Sequence, residues 1–270
     1  MSNINLNTRV IFIHIPKTAG TSMESVFWNR AKLNTYEGHL SNTWFNEHVD
    51  VKKYFKWCFV RNPWSRLLSG YDYVPDFKSV YPTFESFVHI FYKYRKEYQK
   101  LDFYRFTDPL SGWGNGLDIP DLPPGIPRAV LVSQKSFITV NGKTEINFVG
   151  RFETLQSDWT RLCHIISERV PLLIRSTERE KEWKESVLST IKLPELNIRG
   201  TRKSLSADTS NTSHFVADAG NGRGPVKLIF DYADKPWQEY YTKEMIDLVG
   251  EIYEQDVKEF NYKFSDGIVN

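Results

Sequence analysis

Residues 16–22, with the sequence PKTAGTS, place one lysine, several small residues and three hydroxyl side chains within a short span. The lysine contributes a positive charge, and the hydroxyl groups are hydrogen-bond donors. If a helix begins here, its first backbone N–H groups also point toward an anion. The segment therefore predicts a loop that binds phosphate or sulfate. Its candidate anion-binding residues are Lys17, Thr18, Ala19, Gly20, Thr21 and Ser22.

The residues on both sides of this loop form the elements that must hold it. Residues 9–15 contain an apolar, β-branched run, which predicts a buried strand. Residues 21–32 carry apolar side chains at helical spacing, at Met23, Val26 and Phe27, which predicts a helix. A strand, a tight loop and a helix in this order present the start of the helix to a ligand.

A second segment repeats this plan about forty residues later. Residues 56–60, KWCFV, predict another short strand, and Arg61 follows it directly. Asn62 and Pro63 are typical of an N-cap and the first position of a helix. Trp64, Leu67, Leu68 and Tyr71 then form the predicted apolar face of that helix. Arg61 therefore stands at the predicted end of this strand.

In the rest of the chain, short predicted strands also alternate with predicted helices, and this order predicts an α/β protein with a parallel sheet. Asn141-Gly142 predicts a β-hairpin between residues 136–140 and 145–149. The other expected elements are helices over residues 83–100, 152–166 and 241–260, an irregular Gly- and Pro-rich loop over 107–128, and a polar excursion over 197–225.

Composition narrows the class of protein. The chain has 270 residues and a net charge of +2, which argues against binding nucleic acid over its whole surface. Cys58 and Cys163 lie in apolar segments and are expected to be buried free thiols. No apolar run approaches a membrane span, and the N-terminus lacks a signal-peptide pattern. We therefore expect one domain over residues 1–270 in a cytoplasmic protein; oligomeric state is not readable.

The order of residues in the loop separates it from the common nucleotide-binding loop. That loop requires GxxxxGK[ST], whereas here Lys17 precedes Gly20. PKTAGTS instead resembles the 5′-phosphosulfate loop of sulfotransferases that use 3′-phosphoadenosine 5′-phosphosulfate (PAPS), especially the carbohydrate enzymes of the Golgi and bacterial type. FVRNPWSRLLSGY, residues 59–71, resembles their 3′-phosphate motif, in which Arg61 and Ser69 match.

The resemblance covers most of the chain, extends to residues 148–155 and 253–264, and is weak over residues 75–130 and 170–240. It implies a P-loop-like, three-layer α/β fold with a central parallel sheet flanked by helices. It also implies that PAPS is the donor, that adenosine 3′,5′-bisphosphate (PAP) is the product and that no metal is required. Lys17 would stabilise the leaving phosphate, residues 18–22 would hold the 5′-phosphate, and Arg61 and Ser69 would hold the 3′-phosphate.

Removing the acceptor proton requires a general base, which in relatives lies between the two phosphate motifs. His39, which is 22 residues before Arg61, is the preferred candidate. His48 and the acids Glu37 and Glu47 remain alternatives. His14 is interpreted as a structural histidine at the end of a strand.

Three basic positions complete the candidates. Arg66 is expected to brace its helix against the loop. Arg151 either contacts the nucleotide or pins the hairpin to the next helix. The basic segment 199–203, RGTRK, loosely resembles a segment that closes over the 3′-phosphate in cytosolic relatives, although a solvated basic loop is the slightly favoured interpretation.

The preferred function is sulfuryl transfer to a hydroxyl group, most plausibly of a carbohydrate or glycolipid. A small-molecule or phenolic acceptor is the second choice. A nucleotide-dependent kinase with a related loop, which would need Mg²⁺ and ATP, and a binding module without a base remain open. Acceptor specificity is expected from residues 72–128 and 200–240, where the likeness is weakest.

Overall fold

A computed structural model describes residues 3–5, 9–27, 39–73, 75–95, 131–169, 177–193 and 235–266. Its main sheet has four strands in the order β1-β2-β3-β6. Strand β1 pairs antiparallel to β2, whereas β2–β3 and β3–β6 are parallel pairs. These four strands are β1 (Asn3–Asn5), β2 (Val10–Phe12), β3 (Phe55–Val60) and β6 (Phe148–Arg151), and a separate hairpin contains β4 (Thr139–Val140) and β5 (Lys143–Thr144).

The sheet is buried on both faces because successive side chains of its strands enter two different apolar clusters. Ile11 and Cys58 belong to the cluster on one face, and Phe12 and Trp57 belong to the cluster on the other. A parallel sheet covered by helices on both faces has this continuous apolar character. The predicted α/β class with a parallel sheet is therefore confirmed.

Helices cover both faces. The first cluster contains side chains of α3 (Pro63–Tyr73), α5 (Phe84–Lys93) and α9 (Lys243–Ile252), and the second contains side chains of α1 (Gly20–Phe27), α7 (Leu155–Ser167) and α8 (Thr177–Leu188). The remaining described helices are α2 (Asn42–His48), α4 (Pro75–Val80), α6 (Gln134–Ile138), α10 (Glu254–Phe260) and the 3₁₀ turns Phe152–Thr154 and Trp237–Tyr240.

Several local predictions are confirmed, although strand β2 is shorter than expected. Strand β2 ends at Phe12, and α1 begins at Gly20. Asn62 caps α3, because its Oδ1 accepts hydrogen bonds from the backbone N–H groups of Trp64 and Ser65 at 3.1 and 3.4 Å. Thr83 and Thr242 cap α5 and α9 in the same way. Cys58 and Cys163 are buried free thiols.

The predicted hairpin is only partly correct. Asn141 and Gly142 make its turn with positive φ angles of 49° and 78°, but each strand has two residues. Residues 136–138 belong to α6, and Phe148–Arg151 joins the main sheet parallel to β3. Pairing with β3 buries Phe148 and Gly150, which an exposed hairpin strand would not achieve.

The long C-terminal helix is also corrected, because it is two helices, α9 and α10, separated at Tyr253. The Tyr253 side chain is buried, and its hydroxyl donates to the carbonyl oxygen of Leu131 at 2.8 Å. Some predictions concern residues outside the described ones, which include 28–38, 96–130 and 194–234. They are the 107–128 loop, the 197–225 excursion and the C-terminal ends of the helices predicted over 21–32 and 83–100. Among the described helices, none is long and apolar enough to cross a membrane.

Candidate functional site

The loop between β2 and α1 has the backbone geometry of an anion-binding loop. Lys17 and Ala19 both have positive φ angles, 69° and 71°, which non-glycine residues adopt only where the surrounding structure imposes them. Such left-handed residues beside residues of negative φ are typical of nests that bind anions. The Thr18 side chain is buried and donates to the carbonyl oxygen of Ile15 at 2.8 Å, so it holds the loop in shape.

Lys17 in this loop has an aromatic neighbour and a strongly lowered pKa. Its ammonium nitrogen lies 3.7 Å from the centre of the Tyr73 ring, at the end of α3. Burial lowers the pKa of Lys17 to about 7; the charges of Arg61 and Arg66 act in the same direction, and Asp72 opposes them. A lysine crowded by two arginines lies in a region of positive potential, which an anionic ligand would neutralise.

Arg61 lies directly beside the loop, as the sequence predicts. Its Nη1 donates to the carbonyl oxygen of Lys17 at 3.3 Å, and its Nε donates to Ser65 Oγ at 2.7 Å. The guanidinium also lies over the Phe152 ring, 4.1 Å from its centre. Ser69 lies one helical turn beyond Ser65 in α3 and is partly exposed. Ser65 was missed by the sequence analysis, although its spacing of four residues from Arg61 is the signal that indicates it.

Gln134 is a second residue that the sequence does not reveal. Its side-chain Oε1 accepts from the backbone N–H of Arg61, and its Nε2 donates to the Arg61 carbonyl, both at 2.8 Å. The buried Asp256 carboxylate accepts in turn from the backbone N–H of Gln134 at 2.8 Å and from Ser133 Oγ at 2.5 Å. These bonds fix the end of β3, from which Arg61 projects.

Arg66 braces α3 against the loop, as predicted. It is fully buried, and it donates through Nε to the carbonyl oxygen of Pro16 at 3.0 Å and through Nη1 to that of Val132 at 2.9 Å. Burial lowers its pKa, whereas Tyr253 and Asp256 oppose that effect. The loop is thus held by one arginine at Pro16 and by another at Lys17.

His39 lies against the same loop. Its Nδ1 is 2.9 Å from the carbonyl oxygen of His14. A carbonyl oxygen only accepts hydrogen bonds, so Nδ1 carries the proton and the lone pair of the neutral ring is on Nε2. Burial, with a contribution from His14, lowers the pKa of His39 well below its usual value. A neutral imidazole with this tautomer is able to accept a proton at Nε2.

His14 does more than end a strand. Its Nδ1–H donates to Glu24 Oε1 at 3.0 Å, and its ring meets the His39 ring edge-on, with 4.4 Å between the ring centres. Burial opposes ionisation of Glu24, whereas the charge and the hydrogen bond of His14 favour it, and the net effect is a lowered pKa of this carboxyl. The sequence analysis gave neither residue a role in the site.

The alternative bases are placed differently. His48 is exposed near the end of α2, where its ring stacks on Trp44 and its Nδ1 bonds to the carbonyl oxygen of Trp44 at 2.9 Å. Glu47 is exposed on the same helix. Glu37 lies outside the described residues. Among the described candidates, His39 contacts the segment that leads into the anion loop.

Arg151 pins the end of β6 to the C-terminal helix. Its Nη2 donates to the carbonyl oxygen of Phe260, and its guanidinium lies over the Tyr262 ring, 4.6 Å from the centre. It also lines a shallow cavity of about 340 Å³ together with Val60 and Asn261. The basic segment 199–203 lies outside the described residues.

The groups at this loop suit an anionic ligand. Lys17 and Arg61 lie together beside the start of α1, and cations at a helix start are typical of phosphate-binding sites. Among the described residues, no group of three or more His, Cys, Asp or Glu side chains is arranged to hold a metal ion.

Comparison with known proteins gives one match. The model of a family described as "Sulfotransferase family" matches residues 2–263, which is nearly the whole chain. Neither the search of curated proteins nor the search of solved structures found a match.

Proposed function

This chain belongs to the sulfotransferase family, and from that membership we propose that it sulfates a carbohydrate hydroxyl group with His39 as the general base. The family assignment makes the protein an enzyme of class EC 2.8.2.- that uses PAPS as its donor. PAPS supplies the sulfuryl group when it is bound. The residue roles below, the acceptor and the base are our proposal.

Lys17 and the start of α1 hold the donor end of the site. Backbone N–H groups of residues 18–22 and the hydroxyls of Thr21 and Ser22 bind the 5′-phosphate, while the Thr18 hydroxyl holds the loop in shape. The Lys17 ammonium neutralises charge on the oxygen that leaves from sulfur. A preorganised cation at the position where charge develops is among the largest contributions that a protein makes to group transfer. The proximity of Arg61 and Arg66 to Lys17 supports this role, because it maintains positive potential in the loop.

Arg61 and Ser69 bind the 3′-phosphate. The contact of Arg61 with the Lys17 carbonyl supports this role, because it holds the arginine beside the anion loop. Ser69 lies on the helix that begins directly after Arg61 and is partly exposed, as a ligand-binding hydroxyl must be.

His39 removes the proton of the acceptor hydroxyl through Nε2. The single observation that carries this mechanism is the 2.9 Å bond between His39 Nδ1 and the carbonyl oxygen of His14, three residues before Lys17. This bond fixes the Nδ1–H tautomer of His39. It also ties the base to the segment that carries Lys17, the residue proposed to stabilise the leaving phosphate. In-line transfer needs the base and the lysine on opposite sides of one sulfur, and this is the arrangement that we propose for His39 and Lys17.

A carbohydrate acceptor is favoured because PKTAGTS and residues 59–71 resemble the carbohydrate enzymes most. The test is a panel of saccharide, glycolipid and phenolic acceptors with radiolabelled donor, followed by mass analysis of the product. We expect label on a saccharide, and transfer slowed by about 10²-fold or more with His39→Ala. Label on phenols alone would refute the proposed acceptor class, and full transfer by His39→Ala would refute the proposed base.

A binding experiment separates this function from that of a related kinase. We expect PAP to raise the melting temperature in the absence of Mg²⁺, and ATP with Mg²⁺ to have a smaller effect. The opposite preference would favour the kinase.

A further inference from the structure

We propose that His14 and Glu24 form a hydrogen-bonded pair that positions His39 and couples it to helix α1 of the donor loop. The inference rests on the proposed role of His39 as the base. His14 is a positioning residue here, because it acts through His39 and not on the substrate. Five contacts of His14 support this role, one made by its backbone carbonyl and four by its buried ring.

The first two contacts lead from His14 to His39. The backbone carbonyl of His14 accepts the Nδ1–H of His39 at 2.9 Å. The His14 ring meets the His39 ring edge-on, with ring planes inclined by 74°. The carbonyl restrains one atom of the His39 ring, and the ring contact restrains its plane, so the two together define where Nε2 points.

The other contacts fix His14 itself. Its Nδ1–H donates to Glu24 Oε1 at 3.0 Å, and Glu24 is four residues beyond the first residue of α1. On another side the ring stacks on Phe12, with 5.3 Å between the ring centres. A Cβ atom on Gly20 would lie 2.0 Å from His14 Nε2. The ring therefore occupies the space that a side chain at Gly20 would fill, directly against the start of the helix.

These contacts join the base to the donor site through one side chain. The His14 side chain is only 5% exposed, and it touches β2 through Phe12, α1 through Gly20 and Glu24, and His39. A shift of α1 on donor binding would therefore be transmitted to the His39 ring. A carboxylate that holds a histidine, which in turn orients a reacting group, is a recurring arrangement in enzymes.

Two variants of His14 and one of Glu24 separate the parts of the pair. His14→Asn keeps a donor near the Nδ1 position but removes the ring; His14→Phe keeps a ring but removes the donor. Glu24→Gln removes the charge and keeps the shape. Matched controls are His164→Asn on α7 and Glu182→Gln on α8, both exposed. PAP affinity by calorimetry and the melting temperature show whether each variant is folded and binds nucleotide.

We expect PAP affinity within about twofold of wild type and a loss of kcat of roughly tenfold in His14→Phe and Glu24→Gln, which is less than the 10²-fold or more lost with a general base. In single-turnover assays on the His39→Ala background, the same changes should cost less than about twofold, because their effect passes through His39. In ¹⁵N-histidine NMR spectra, the His39 signals should shift in the His14 and Glu24 variants and not in the controls.

The outcomes distinguish the two proposals. If His39→Ala keeps full kcat, the proposed base is wrong and the pair has no base to position. If His39→Ala is impaired but the His14 and Glu24 variants keep wild-type kcat and His39 signals, the pair is structural only and the inference is overturned. Equal losses of kcat with and without His39 also overturn it. Should His14→Phe fail to bind PAP, the Glu24→Gln comparison decides alone.

Discussion

The ammonium nitrogen of Lys17 lies 3.7 Å from the centre of the Tyr73 ring. This contact joins the loop that precedes α1 to the last residue of α3. The lysine that is proposed to stabilise the leaving phosphate therefore lies on an aromatic face. The ring stabilises the charged form of the lysine, whereas burial and the two neighbouring arginines destabilise it. Nucleotide binding should therefore depend on pH through Lys17.

PAP affinity is expected to fall as the pH rises above about 7. The pKa of Lys17 is about 7 in the free protein, and bound phosphates raise it because they favour the ammonium. Binding then takes up a proton above pH 7, and affinity decreases with pH. The measurement is calorimetry of PAP binding from pH 6 to 9 in buffers of different ionisation enthalpy.

Lys17→Arg is the control for that experiment, because arginine stays charged over this range. Its PAP affinity should be flat above pH 7, once ionisation of the phosphates themselves is complete. A wild-type affinity that is equally flat would show that Lys17 is protonated throughout or does not meet the nucleotide.

Replacing Tyr73 tests the cation–π contact. Tyr73→Leu removes the ring, so the midpoint of the pH dependence of PAP binding should fall by about half a pH unit, as a contact of about 0.5–1 kcal/mol requires. Tyr73→Phe keeps the ring and should leave the midpoint unchanged. Identical shifts in both variants would assign the effect to the hydroxyl group.

Arg61→Ala is expected to weaken PAP binding by about ten- to a hundredfold, as loss of a hydrogen-bonded charge does. Binding of 5′-AMP, which has no 3′-phosphate, should change much less. Ser69→Ala should show the same selectivity with a smaller loss. Calorimetry with both nucleotides gives the comparison, and equal losses for PAP and 5′-AMP would place Arg61 at the 5′-phosphate or in the loop framework.

Gln134→Ala tests the clamp on the backbone of Arg61. Both hydrogen bonds from this side chain are lost, which should lower the free energy of unfolding by about 1–3 kcal/mol because buried peptide groups are left unpaired. Urea unfolding measures this cost. Gln134→Glu keeps an acceptor for the Arg61 N–H but brings a carboxylate toward the Arg61 carbonyl. It should therefore be destabilised at least as much as Gln134→Ala, and wild-type stability of Gln134→Glu would contradict the clamp.

The strand–loop–helix arrangement of both segments was predictable because its signals are local. The apolar run of residues 9–15 contains β2, and Asn62 with Pro63 begins α3. Once the strands are predicted, the residues that stand after their ends, Lys17 and Arg61, are known as well. Lys17 and Arg61 are adjacent in the structure because β2 and β3 are paired in parallel.

The remaining features depend on contacts between distant residues. Phe148–Arg151 follows an Asn-Gly turn and looks like a hairpin strand, but its partner is β3, about ninety positions earlier. The apolar period runs unbroken through Tyr253, so the end of α9 is invisible in the pattern. Gln134 and Glu24 gain their roles only when the chain has folded around Arg61 and His14.

Gly20→Ala tests the packing of the His14 ring against the start of α1. The added Cβ would lie 2.0 Å from His14 Nε2, and the ring cannot move without breaking its bond to Glu24 or its contact with His39. We expect the free energy of unfolding to fall by about 1–3 kcal/mol, as overpacking does, and kcat to fall with it.

Gly250→Ala in α9 is the matched control, because its Cβ would meet Trp64 at an ordinary distance of 3.4 Å. Alanine is also favoured over glycine inside a helix by about 1 kcal/mol, so this variant should be at least as stable as wild type. Adding His14→Ala to Gly20→Ala removes the collision, so the double variant should be more stable than the sum of the two single changes predicts. Additive losses in urea unfolding would mean that the ring and the helix start do not compete for the same space.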